Sequence, residues 1–169
     1  GTIKRWNQVS LDWPEKPIVL YGPGADSGTF DTFNQAINGS KRDSRSDYIS
    51  SENDNVLVQG VASNSNALGY FGYAYYAANR NKLRALPVES DQGPVMPSLE
   101  TVQNGSYSPL SRPVFIYVNA KSLKDSSSLR AFVQYYLNNA TQLVEKEGSI
   151  PLTKAQYLVV CEAPPRRRA

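Results

Sequence analysis

The fold of this chain is decided by residues 17–31, PIVLYGPGADSGTFD. Residues 17–21 are rich in apolar and β-branched side chains and predict a strand, which the Gly-Pro-Gly run at 22–24 ends. Three apolar residues then recur at helical spacing before an Asn-Gly helix stop at 38–39. The Ser-Gly-Thr run at 27–29 therefore lies in the first turn of a predicted helix.

A helix start of this composition is suited to binding an anion. Its first backbone N–H groups have no partner within the helix and carry the positive end of the helix dipole. The hydroxyls of Ser27 and Thr29 add donors, and Gly28 lets a ligand approach the backbone. The same residues also fit an ordinary helix cap formed by Asp26 or Ser27, so the short motif alone leaves both interpretations open.

Length and charge limit the classes of protein to consider. A chain of 169 residues can bury a core of its own, and 40% hydrophobic with 20% charged residues is ordinary globular composition. The net charge is +3. The three arginines at 166–168 contribute three positive charges, so the rest of the chain is close to neutral. We therefore expect no nucleic-acid partner and interpret these arginines as part of a tail.

Side chains that commonly carry catalysis or bind metals are scarce. The chain has no histidine and one cysteine, Cys161. Histidine-based catalytic triads and intrachain disulfides are thereby excluded, and a transition-metal site is disfavoured. We therefore expect no metal and no cofactor. No stretch of the sequence approaches the ~20 apolar residues that a membrane-spanning helix needs.

The remainder of the sequence alternates predicted helices, strands and loops. The predicted elements are a helix that begins near Ser51–Asp54, a strand at 67–72, a helix at 73–79, a strand at 83–88, a long connection at 89–110 and a strand at 113–118. An apolar stripe at 129–137 then predicts an amphipathic helix, and we interpret its apolar face as core.

Seven blocks of sequence, in a fixed order, carry a family resemblance. The blocks are GTIKRW at 1–6, WP at 13–14, LYGPGADSGTFD at 20–31, RSDY at 45–48, SENDNVLV at 51–58, ALGYFGY at 67–73 and PLSRPVFIY at 109–117. Together they resemble the PstS family, the phosphate-binding proteins of bacterial ABC importers, and most closely its SphX-like branch. The resemblance extends over roughly residues 1–157. It implies an α/β fold of the type II periplasmic-binding class, with two lobes that close on one dehydrated phosphate.

The resemblance also implies how the chain is divided between the two lobes. Residues 1–107 would form most of the second lobe, including the anion loop and the approach to the hinge. Residues 108–160 would return into the first lobe, and residues 161–169 would be a tail. Since the first part of the N-terminal lobe is absent from this sequence, we expect a separate N-terminal chain or segment to complete the fold. A lone lobe would otherwise expose apolar surface.

The resemblance implies that three residues of the loop form part of the phosphate site. Ser27, Gly28 and Thr29 match the family's Ser-Gly-Thr positions, whose hydroxyl and backbone N–H groups would hold phosphate. Many members also have an arginine four residues before that serine, where this chain has Pro23. A dehydrated phosphate still needs a charge-assisted donor, preferably a bidentate one.

Arg45 is the candidate for that charge, because the SphX-like branch has an arginine in a comparable Arg-x-Asp-Tyr block. Arg42 is a second candidate, and a surface ion pair between Arg45 and a neighbouring aspartate is the alternative. Asp47 is the candidate for orienting Arg45. Asp26 and Asp54 are expected either to support the site or to cap helices.

These expectations favour capture of inorganic phosphate by the substrate-binding component of an ABC-type importer, without chemistry on the ligand. ABC permease subunits are then expected partners, and a periplasmic or extracellular location is implied, with a membrane anchor in the preceding segment left open. Two alternatives remain. One is another tetrahedral oxyanion, and the other is a surface or scaffold protein that kept the fold and lost the site, as Pro23 suggests. An enzyme with Ser27 as nucleophile would lack a base or a metal.

Overall fold

The computed structural model describes residues 1–41, 43–91, 93–147 and 149–157. Arg42, Cys161 and the predicted tail at 161–169 lie outside the described residues. The chain divides into two compact units, Gly1–Pro87 and Val88–Ala169. Each unit has its own secondary structure and is described by itself.

The first unit is built around a three-stranded parallel sheet. Its elements are a short 3-10 helix at Trp6–Gln8, β1 at Val19–Gly22, α1 at Gly28–Asn38, β2 at Ile49–Ser50, α2 at Asp54–Ser63, β3 at Ala67–Gly69 and α3 at Tyr73–Ala78. The strand order is β2-β1-β3, and Tyr21 of β1 lies opposite Ile49 and Gly69. Because all three strands run in the same direction, the loops that follow them meet at one edge of the sheet.

The helix predicted after the glycine turn is confirmed as α1. It begins after Ser27, which caps it by accepting the N–H of Thr29, and it ends at Gly39, whose φ is 72°. This left-handed conformation suits glycine and directs the chain out of the helix. Both ends of α1 are therefore determined by residues next to them in the sequence.

α2 supplies the most deeply buried side chains of the first unit. The helix expected near Ser51 begins at Asp54, because Asn53 caps it by accepting the N–H of residue 55 at 3.0 Å. Leu57 is 0% exposed and Val58 is almost as deeply buried. Leu57 and Val58 thus face the core, whereas Val56 of the same helix is 51% exposed.

The described part of the second unit contains a hairpin followed by helices. Its elements are β4 at Val88–Ser90, β5 at Gly93–Val95, α4 at Leu99–Gln103, α5 at Ala120–Asp125, α6 at Ser127–Asn138 and α7 at Ala140–Lys146. β4 and β5 pair antiparallel. The expectation of a plain connection at 89–110 is wrong, because this stretch includes parts of the hairpin and the whole of α4. Reciprocal hydrogen bonds between Ser98 and Thr101 cap α4.

Both strands predicted between residues 83 and 118 are wrong as placed. Residues 83–87 are irregular, and the strand begins only at Val88, directly after Pro87. Residues 113–118 form no strand, although their apolar composition is typical of one. A strand exists only where a neighbouring strand pairs with its backbone, and no described residue pairs with 113–118.

α6 is present where the apolar stripe predicted a helix, but the described residues cover this stripe only in part. No residue of α6 is buried, and Phe132 is 64% exposed. The irregular stretch before α5 is exposed as well, and Tyr117 in it is 87% exposed. Periodicity thus located the helix correctly, and Leu129, Val133, Tyr136 and Leu137 of its stripe are half-buried while Phe132 is exposed.

Candidate anion-binding site

Three loops of the first unit follow its three strands and lead into its three helices. They are residues 23–27 between β1 and α1, residues 51–53 between β2 and α2, and residues 70–72 between β3 and α3. Parallel strands place these loops at one edge of the sheet, and ligands of open α/β sheets bind outside the carboxyl ends of the strands. The predicted site is therefore expected at this edge of the sheet.

The loop after β1 brings Ser27, Gly28 and Thr29 to the start of α1. The N–H of Ser27 donates to the carbonyl of Gly24 at 3.1 Å and closes the turn. Ser27 Oγ accepts the N–H of Thr29 at 3.1 Å, so its hydroxyl proton remains available for donation. Hydroxyl donors and the positive end of a helix dipole are thus combined in one loop.

Arg45 and Asp47 form a bidentate ion pair. Arg45 Nε donates to Asp47 Oδ1 at 2.8 Å, and Arg45 Nη2 donates to Asp47 Oδ2 at 2.9 Å. The ammonium of Lys4 contacts the same carboxylate, and Arg45 Nη1 donates to the carbonyl of Ile3 at 3.1 Å. Hydrogen bonds from Arg45 and then Lys4 hold the pKa of Asp47 well below its usual range, and the bond to Asp47 raises the pKa of Arg45. The structure thus pairs Asp47 with Arg45, and the expectation that Asp47 orients Arg45 toward a ligand stays a prediction.

The Arg45 pair lies before β2 and contacts the segment that precedes β1. The carbonyl of Lys4, next to Ile3, accepts the N–H of Ile18 at 2.8 Å, which is where the chain enters β1. Ser27 follows the opposite end of β1. The hydrogen bonds of the Arg45 side chain go to Asp47 and Ile3, so a role for Arg45 at the anion loop stays a prediction. Asp26 is exposed in the turn before Ser27.

Two tyrosines that were not among the predicted site residues lie beside the anion loop. The hydroxyl of Tyr48 donates to the carbonyl of Pro23 at 3.0 Å. The rings of Tyr48 and Tyr70 lie against Gly22, where a Cβ atom would come within 3.3 Å of Tyr48 and 2.7 Å of Tyr70. Tyr48 directly precedes β2 and Tyr70 directly follows β3. Their positions at strand ends were the signal in the sequence that could have identified them.

Two carboxylates also lie at this edge of the sheet. The side chain of Glu52 lies against Gly24, and the half-buried Asp54 accepts the N–H of Gly72. Burial raises the pKa of Asp54, the bond from Gly72 opposes that rise, and the charge of Glu52 adds to it. An anion in the first loop would therefore have acceptor groups near it as well as donors.

The arrangement of hydroxyl and backbone N–H donors at the start of α1 can bind an anion. Within residues 1–41, 43–91, 93–147 and 149–157, no three His, Cys, Asp or Glu side chains are grouped so that they could hold a metal ion. In the same part of the chain, no helix is long and apolar enough to cross a membrane.

The chain belongs to the periplasmic-binding-protein superfamily, because the family described as "PBP superfamily domain" matches residues 1–140. The protein SphX of Synechocystis is 51% identical over 156 residues, which are 92% of this chain and 46% of that protein. The phosphate-binding protein PstS of Staphylococcus saprophyticus is 37% identical over 158 residues, 93% of this chain and 48% of that protein. The chain thus spans about half the length of these curated relatives.

Solved structures agree with the family assignment. The crystal structure of a possible phosphate binding protein from Planctomyces limnophilus matches with a TM-score of 0.83 and 42% identity, over 96% of this chain and 58% of that chain. PstS from Borrelia burgdorferi shares the fold, with a TM-score of 0.59 and 17% identity over 90% of this chain and 59% of that chain. The resemblance to the PstS family and the α/β periplasmic-binding fold class are thereby confirmed.

Proposed function

We propose that this chain binds inorganic phosphate as the substrate-binding component of an ABC-type phosphate importer. The observation that carries the proposal is the Ser27-Gly28-Thr29 run at the start of α1, on the carboxyl edge of a parallel sheet. Relatives that match over nine tenths of this chain are named as phosphate-binding proteins. Binding would rest on hydroxyl and backbone N–H donors, which lose their water when the ligand enters.

Arg45 is the proposed source of positive charge for the ligand, in place of the arginine that Pro23 replaces. A guanidinium has five N–H donors, and three of those of Arg45 are used by Asp47 and Ile3. Two donors therefore remain for a bidentate contact with an oxyanion, while Asp47 fixes the plane of the group. Arg45, Lys4 and Asp47 together carry one net positive charge, because the carboxylate of Asp47 neutralises only one of the two cations.

Titration of Arg45→Ala with phosphate tests this role. We expect affinity to fall by at least roughly 30-fold, because a dehydrated oxyanion would lose its charge-assisted donor. Arg84→Ala, which removes an exposed arginine elsewhere in the first unit, is the matched control. A change within about twofold for Arg45→Ala, the range of ordinary surface substitutions, would show that Arg45 only forms a surface ion pair.

We also propose that a further polypeptide completes the fold, with residues 1–107 in the second lobe and residues 108–160 returning into the first. The exposed apolar stretch 114–117 and the exposed rings of Phe132 and Tyr135 in α6 support this division. Exposed apolar patches of this kind are typical of surfaces that a partner covers. The partner would be a separate N-terminal chain or a preceding segment, corresponding to the half of the relatives that this chain does not match.

The N-terminal half of the Synechocystis relative provides a direct test of completion. We expect the 169-residue chain alone to bind phosphate weakly and the mixture of the two polypeptides to bind it tightly. Tyr117→Asp should weaken the association, whereas Leu11→Asp, at a position 95% exposed outside this surface, should not. Tight phosphate binding by the chain alone would contradict the proposal.

The proposed setting is the periplasm or the outer face of the cell, where an importer collects its substrate. Closure of the two lobes on phosphate would be the state that the ABC permease subunits recognise. A membrane anchor would be carried by the preceding segment. Fractionation of cells that produce the protein, with and without that segment, would test both the location and the anchor.

Calorimetric titration of the completed protein with phosphate, arsenate and sulfate tests the ligand itself. We expect binding of phosphate and arsenate, and weaker binding for Ser27→Ala and Thr29→Ala, because each removes one hydroxyl donor. Preference for sulfate would favour a transporter of another oxyanion. Failure to bind any of the three would favour a scaffold protein, the alternative that Pro23 suggests.

A further inference from the structure

Tyr70 is held rigidly beside the loop that precedes α1. Its backbone N–H donates to the carbonyl of Tyr21 at 3.2 Å, which continues the pairing of β3 with β1. Its ring stacks on Phe33 of α1, with ring centroids 3.9 Å apart and an angle of 15° between the planes. Both the backbone and the ring of Tyr70 are therefore fixed by elements of the first unit.

The hydroxyl-bearing end of the ring lies over the last residue of β1. A Cβ atom at Gly22 would come 2.7 Å from Cε1 and 3.1 Å from Cζ of Tyr70, and Cζ is the atom that carries the hydroxyl. Gly22 is followed directly by Pro23 and the anion loop. Because Gly22 has no side chain, the phenol ring of Tyr70 can pack directly against the end of β1, next to this loop.

The two tyrosines over Gly22 differ in how their hydroxyls are used. The hydroxyl of Tyr48 is committed to the carbonyl of Pro23 at 3.0 Å. The hydroxyl of Tyr70 has no hydrogen-bond partner among the residues that the structure describes, although the side chain is half-buried. Burial raises the pKa of Tyr70 to about 12, so the phenol keeps its proton at neutral pH and can act as a donor.

We propose that the Tyr70 hydroxyl donates a hydrogen bond to the tetrahedral oxyanion bound at the start of α1. This inference rests on the proposed function and adds a donor from the end of β3 to those of Ser27, Gly28 and Thr29. A neutral donor held in place before binding suits a ligand that must exchange its water for protein hydrogen bonds. Because the bond goes to a charged acceptor, it is stronger than a bond between neutral groups.

Titration of inorganic phosphate into the completed protein and its Tyr70→Phe variant tests the proposal. The substitution removes only the hydroxyl, and we expect roughly a tenfold to hundredfold loss of affinity, the range for hydrogen bonds to charged groups. Tyr76→Phe, in α3 of the same unit, is the matched control and should bind within about twofold of the unsubstituted protein. Thermal unfolding of each variant shows whether the stacked ring is still in place.

The outcomes separate this inference from the function on which it rests. Unchanged phosphate affinity in Tyr70→Phe, with tight binding by the unsubstituted protein, would overturn the role of Tyr70 and leave the proposed function standing. Failure of the unsubstituted completed protein to bind phosphate would overturn both. A loss confined to Tyr70→Phe, with unfolding close to that of the control, supports the inference.

Discussion

Gly22→Ala should destabilise the first unit, because two aromatic rings occupy the space that the new methyl group needs. The methyl carbon would lie 2.7 Å and 3.1 Å from atoms of Tyr70 and 3.3 Å from Tyr48, whereas unstrained carbon atoms meet at about 3.5–4.0 Å. The ring of Tyr70 is stacked on Phe33, and the hydroxyl of Tyr48 is bonded to Pro23. Neither ring can therefore move away without losing a contact.

The magnitude follows from two opposing effects. Overpacking of this kind costs about 1–3 kcal/mol, while replacing glycine by alanine within a strand stabilises by about 0.5–1 kcal/mol. We therefore expect the free energy of unfolding of Gly22→Ala to fall by roughly 0.5–2 kcal/mol. Urea denaturation followed by tryptophan fluorescence measures it, since both tryptophans, Trp6 and Trp13, lie in the first unit.

A double-mutant cycle identifies the ring responsible. In a Tyr70→Ala background the two shortest contacts of the new methyl group disappear, so Gly22→Ala should cost less there than in the unsubstituted protein. An equal cost in both backgrounds, or stabilisation by Gly22→Ala alone, would refute the reasoning. Gly24→Ala is a useful comparison, because its methyl group meets only the flexible end of Glu52.

Three further predictions concern the first unit. Leu57→Ala should lower the free energy of unfolding in urea by about 2–5 kcal/mol, because Leu57 is 0% exposed and the deletion leaves a cavity. Gly60→Ala should also destabilise, even though alanine favours helices by about 1 kcal/mol, because the ring of Tyr21 occupies the position of the new methyl group; a higher melting temperature would contradict this. The raised pKa of Tyr70, about 12 against 10.0, means that the unfolded chain releases this proton first. The free energy of unfolding should therefore keep its full value below about pH 10 and fall between about pH 10 and pH 12. Urea denaturation at each pH measures this fall, which should be smaller for Tyr70→Phe.

The start of α1 could be predicted from the sequence because its signals are local. Ser27 caps the helix through a bond to a residue two positions away, and Gly39 ends it through its own backbone conformation. The family resemblance was equally a property of residues in order along the chain. The Arg45–Asp47 pair is local as well, since its members lie two positions apart in the sequence.

The neighbours of the anion loop depend on the tertiary structure. Tyr70 is 48 positions from Gly22, and only the pairing of β3 with β1 places its ring there. The sequence showed many tyrosines but not which of them reach the end of β1. The contact of Lys4 with Asp47 likewise depends on the pairing of the first residues of the chain with the entry to β1.

The apolar segments of the second unit show the same limit. The sequence by itself determined that α6 is an amphipathic helix, because helical periodicity depends only on residues a few positions apart. It did not determine that Phe132 on the apolar face of α6 is exposed, or that 113–118 forms no strand. Burial of a face and pairing of a strand both require a second surface, and whether that surface is present is decided only by the tertiary structure.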